Sequence, residues 1–105
     1  MKDLEIMVSA TNTVIQEDDS MSPNIAKGST VFIEKLNNGT HGLRDGAIYV
    51  FKTSKGLITR RYIIRSLDEI ELRPINKEYE SIIIKVSEMQ KYIIMGGVVG
   101  VFTKL

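Results

Sequence analysis

Short runs of Val, Ile, Phe and Tyr, each cut off by glycine, asparagine or proline, restrict this chain more than any other feature. Thr30-Val-Phe-Ile-Glu34 is entered through Lys27-Gly28-Ser29 and left through Asn37-Asn38-Gly39. Ala47 to Lys52 and Leu57 to Ile64 flank Thr53-Ser54-Lys55-Gly56, which reads as a hairpin connection. Glu69-Ile-Glu-Leu-Arg73 alternates polar and apolar residues until Pro74 stops it. Ser81 to Val86 and Tyr92 to Phe102 follow, and Thr13 to Glu17 reads as a further strand near the start. Gly96-Gly97 within the last run predicts a bulge or sharp bend. Val86 to Lys91 has helical composition but is too short to stand alone. The expected class is all-β, a sandwich, barrel or related compact sheet with little helix.

The 105 residues suffice for one core, so a single domain is expected over 1–105, with residues 1–12 a loosely ordered lead. Hydrophobic residues at 43% and charged residues at 26% describe a folded chain rather than a disordered one. A net charge of +1 supplies no field to draw the chain to DNA or to a membrane. The absence of cysteine excludes disulfides and thiolate metal sites. His41, in a loop by composition, has no second histidine to ligate with, and it reads as a solvated residue. No metal or cofactor is expected. No apolar run approaches membrane-spanning length, so a cytoplasmic protein is expected.

Asp18-Asp19-Ser20-Met21-Ser22-Pro23 is the segment with the most chemical content. Proline denies helix to the residue before it and forces a turn. Such a turn can present a hydroxyl and backbone N–H groups to one point, as an acyl-transfer nucleophile and its oxyanion hole require. It can equally be a capped turn and nothing more.

Five elements in order extend the comparison: Asp-Ser-Met-Ser-Pro, Lys27-Gly28-Ser29-Thr30-Val31, Arg44-Asp45-Gly46-Ala47 with its strand, Leu57-Ile-Thr-Arg-Arg61, and Gly96-Gly97-Val-Val-Gly-Val101. Ile70 to Asn76 followed by Tyr79 belongs to the same series. Together they resemble the C-terminal domains of LexA, lambdoid phage repressors and UmuD-like proteins, from about Val14 to Phe102. The resemblance implies a compact, highly bent β fold in which a serine, activated by a lysine on a later strand, cuts a loop of its own polypeptide when RecA filaments stimulate it.

By that resemblance Ser20 falls on the nucleophile and Arg60 on the general-base lysine. Arginine keeps its charge, with an intrinsic pKa above about 12, and cannot take the serine proton. Ser20 is therefore expected to be a vestigial nucleophile, with Arg60 hydrogen-bonding it or a carboxylate such as Asp18 or Asp19. Asp18 also stands where the family has glycine. Lys52 and Lys55 lie nearest in sequence but do not match the motif. The nineteen residues before Ser20 hold no Ala-Gly or Cys-Gly bond of the kind that the family cuts.

The expected function is thus a dimerising, non-cleaving regulatory domain of a transcriptional repressor. DNA would be reached only through an upstream domain, and a RecA-like or antirepressor protein would be a further partner. The alternatives are an active self-cleaving peptidase, or a signal-peptidase-like protease sharing the Ser-Met-x-Pro signature. A third reading is a β domain in which Ser20 has no chemistry. The homodimer is expected to form through Tyr92 to Phe102, whose apolar surplus would invite pairing if it lay at a sheet edge.

Overall fold

The computed structural model describes residues 12–36 and 43–103. The turn-punctuated runs form seven strands: β1 (Asn12–Ile15), β2 (Thr30–Glu34), β3 (Ile48–Thr53), β4 (Gly56–Ile64), β5 (Glu69–Arg73), β6 (Ile82–Lys85) and β7 (Ile93–Phe102). They make one antiparallel sheet in the order β1-β2-β7-β3-β4-β5-β6, the all-β architecture expected. Val86–Lys91 forms a 3₁₀ turn leading into β7. Residues 1–11, His41 and the Asn37-Asn38-Gly39 turn lie outside the described residues, and Asn12 opens β1.

Adjacent strand residues point to opposite faces, and both faces are covered. On one, Val31, Ile33 and Val50 pack with Met21 and Ile25 from the loop after β1. On the other, Tyr49, Phe51, Ile70, Leu72 and Ile84 form a second cluster. β7 feeds both, sending Met95, Val98 and Val101 to the first and Ile94 to the second.

β7 therefore does not meet the condition of lying at a sheet edge. β7 pairs with β3 through Ile93–Gly97 and with β2 through Gly97–Phe102, so it lies inside the sheet order. Its apolar surplus is consumed largely by two core clusters rather than by one face. Register shifts occur opposite both partners, one on each side of Gly96-Gly97. Gly96 is required by close approach: a Cβ there would meet the Glu34 carbonyl oxygen at 2.6 Å. At the β3–β4 hairpin, Gly56 takes φ +119°, which side chains rarely adopt.

β5 is clamped between its neighbours by Glu71, whose side chain is buried. Its carboxylate accepts from Arg73 Nε at 2.9 Å and Nη2 at 3.0 Å, from Arg65 Nη1 at 3.0 Å and from the Ser81 hydroxyl at 2.7 Å. Arg73 chiefly, then Ser81, with Arg65 adding to them against the opposing effect of burial, lower its pKa from 4.5 to about 2. A depressed carboxylate pKa contributes stability that is complete above the unfolded value and is lost as pH falls through the folded one. Urea unfolding is therefore expected to show stability declining between pH 4.5 and about 2. Glu71→Gln should cost about 1–3 kcal/mol at neutral pH and flatten that acid limb.

Candidate functional site

Where β1 ends, Gln16 leaves the ladder but stays buried, its backbone N–H donating to Ser29 O at 3.0 Å. The expected strand to Glu17 stops here because the next residues turn to form a polar loop. Ser22 N–H donates to Asp19 O and Ile25 N–H to Met21 O, and the Ser22–Pro23 peptide is cis. Met21 and Ile25 drop into the first core cluster and anchor the loop from beneath. The segment after β5 braces it from the side. Asn76 N–H donates to Ser20 O at 2.9 Å, Asn76 Nδ2 donates to Asp19 O at 3.0 Å, and Asp19 N–H reaches the Tyr79 hydroxyl at 3.4 Å.

Ser20 is held at the centre of this loop with no exposed surface. Its hydroxyl donates to Asp18 Oδ1 at 2.5 Å and accepts from Arg60 Nη1 at 2.8 Å and, more weakly, from Gln16 Nε2 at 3.4 Å. Its backbone N–H also donates to Asp18 Oδ1. Arg60 comes from the middle of β4, opposite Tyr49 of β3, and is buried at 7% exposure. The structure thus brings together the two residues singled out in the sequence, forty positions apart. Ser20 bridges Asp18 and Arg60, which make no direct ion pair with each other.

The electrostatics follow from this three-part contact. Burial alone would raise the Asp18 pKa, but the two Ser20 hydrogen bonds, the Arg60 charge and Gln16 outweigh it and hold the carboxyl below its ordinary value. Burial likewise lowers the Arg60 pKa, against Asp18 and Tyr79, which favour its charged form. The guanidinium stays protonated nonetheless, because arginine starts so far above neutrality. Its Nη1 also donates to Thr59 O at 2.8 Å, while its Nε is buried without a partner among the described residues.

Of the three groups bonded to the hydroxyl, Asp18 and Arg60 are the ionisable ones. A carboxylate held below its usual pKa is a feeble base for an alcohol, and a guanidinium is none. Of the two lysines considered, Lys52 lies on β3 and Lys55 in the β3–β4 turn. Lys55 lines a cleft of about 200 Å³ with Val14–Asp18, Val50 and Leu57–Thr59. It is exposed, and no hydrogen bond joins it to Ser20 among the described residues. The cleft reaches Asp18 but does not include Ser20.

A family model described as Peptidase S24-like matches residues 7–99. The chain belongs to the Peptidase S24-like family. This is the family of LexA and phage-repressor C-terminal domains, as the motif order implied. No curated protein matches the chain. Within this S24-like domain, sequence reasoning named Asp18 as a departure and a candidate partner for Arg60. It missed Gln16, and it took Asn76 and Tyr79 only as parts of the motif series. Nothing local in the sequence marks them, since their contacts come from chain crossings.

The Asp18–Ser20–Arg60 contact predicts a specific pattern of stability. Asp18→Asn leaves a buried guanidinium without its anion and should cost about 1–2 kcal/mol in urea unfolding. Adding Arg60→Met removes the stranded charge and should recover most of that loss. A double mutant no more stable than Asp18→Asn alone would refute the coupling.

Proposed function

We propose that this domain is the non-cleaving, dimerising regulatory half of a LexA- or phage-type repressor. The observation that carries this reading is the Ser20 hydroxyl itself, which donates a hydrogen bond to Asp18 and accepts from Arg60 and Gln16. A serine so placed is engaged on every side by groups that cannot deprotonate it. On this reading the family's catalytic pair has become a structural tie between the loop after β1 and the middle of β4. Operator DNA would be engaged by an upstream domain, with a RecA-like or antirepressor protein as the regulating partner in the cytoplasm. Among the described residues no helix is long and apolar enough to cross a membrane, which agrees with that setting.

Dimerisation through β7 keeps support in revised form. Past Gly97 the ladder with β3 ends, so Val98–Phe102 has a strand on the β2 side and none on the other among the described residues. Phe102 is 56% exposed there. A two-fold copy pairing along this half-edge would close on itself. Two attached DNA-binding domains would then meet both halves of an operator together.

Two experiments test these statements. Full-length protein incubated near about pH 10, where a catalytic lysine would lose its proton, should keep its intact mass. A fragment that disappears in Ser20→Ala would overturn the inactive reading. Arg60→Lys alone should cleave no more than slowly, because Asp18 would favour the charged form of the new ammonium. Adding Asp18→Gly should raise alkaline cleavage by about tenfold or more over Arg60→Lys, the gain in neutral amine from one pKa unit.

For the dimer, Val99→Asp is the informative change, since Val101 packs against the core whereas Val99 belongs to neither cluster. Sedimentation equilibrium is expected to show a dimer for the parent chain and a shift toward monomer for Val99→Asp, with the unfolding midpoint retained. A parent that stays monomeric at micromolar concentration would exclude this interface.

A further inference from the structure

Beside the segment that braces the Ser20 loop, Arg61, Arg73, Pro74, Ile75, Lys77, Tyr79 and Ser81 enclose a pocket of about 400 Å³. Three of these side chains are cationic and none is acidic. Arg73 is committed to Glu71, but Arg61 and Lys77 make no ion pair among the described residues. Arg61 Nε is buried and has no hydrogen-bond partner among them. The Tyr79 hydroxyl accepts the Asp19 N–H and keeps its own proton to give, while Ser81 donates to Glu71 and keeps lone pairs to accept with. Pro74 is buried and Ile75 half-buried, so the pocket combines polar donors with an apolar wall.

We propose that this pocket recognises a carboxylate-bearing segment of a protein partner. A guanidinium with free donors matches the two oxygens of a carboxylate in a planar fork, and Lys77 adds a mobile point charge. The pocket walls would take the aliphatic stem of a glutamate or an adjoining apolar residue. A nucleic-acid backbone fits less well. Phosphodiester binding relies on an extended basic surface, whereas the whole chain carries only +1 and these cations converge on one hollow. Glu78 and Glu80, exposed on either side of Tyr79 and absent from the pocket lining, would repel a continuous polyanion yet leave room for a single carboxylate. The same stretch braces the Ser20 loop through Asn76 and Tyr79, so an occupant would also touch the hydrogen bond to Asp19.

Heteronuclear NMR on the whole chain tests the assignment, with an acetylated and amidated hexapeptide alternating glutamate and leucine as probe. Saturable shifts are expected at the amides of Arg61, Lys77, Tyr79 and Ser81, with a smaller one at Asp19. The glutamine counterpart of the peptide should leave them unmoved. Lys77→Gln, an exposed change, and Arg61→Gln should each weaken binding by about three- to tenfold, the range of one ordinary net hydrogen bond. The assignment is overturned by equal shifts from the glutamine peptide, by undiminished affinity in Lys77→Gln, or by no shift at these four residues. It is overturned as well if an oligothymidylate binds there more tightly than the peptide.

Discussion

The fold depends on β7 passing between β2 and β3, and that passage depends on Gly96. Its Cα lies so near the Glu34 carbonyl that a side chain at this position would collide with backbone, which has little freedom to yield. Because the strand can come this close, it can serve β3 with its first half and β2 with its second. The two core clusters then form on opposite faces of one sheet. Met21 and Ile25 are drawn into the first, and the loop that carries Ser20 is fixed as a consequence of that burial.

A buried polar cluster occupies the loop. On the proposed reading, Asp18 and Arg60 stand where the family pattern has a glycine two residues before the serine and a lysine on the later strand. Each replacement alone would leave an awkward charge. Aspartate without a nearby cation would have only the neutral donors of Ser20 and Gln16 to hold its charge, and arginine without an anion would be costly to hold at 7% exposure. Together they compensate, with Ser20 between them as donor to one and acceptor from the other. The same groups that hydrogen-bond the hydroxyl therefore tie the loop to β4. Glu71 does comparable work at β5, where its oxygens hold two arginines and Ser81.

Much of this was legible from residue order. Alternation and β-branching located six of the seven strands to within one residue at their ends, because those signals depend on neighbours one and two positions away. The Val86–Lys91 turn, too short for a stable helix, indeed forms only 3₁₀ structure. β1 ended earlier than its apolar pattern suggested, since Gln16 turns its amide toward Asp18 and Ser20 instead of extending the ladder. Whether β7 lay at an edge was not legible, because a single strand's composition carries no information about how many partners lie beside it.

The sequence by itself determined the class, the motif order and the identity of the two residues at the heart of the site. Those follow from local periodicity, from turn chemistry and from residue types that arginine and lysine do not share. Only the tertiary structure decided what those residues do to one another. Ser20 and Arg60 are forty positions apart, and their meeting requires the loop after β1 to be pinned by core burial on one side and by Asn76 and Tyr79 on the other. The direction of the serine proton, the place of β7 inside the sheet and the convergence of Arg61, Arg73 and Lys77 on one hollow are likewise products of long-range packing, to which no local pattern in the chain is sensitive.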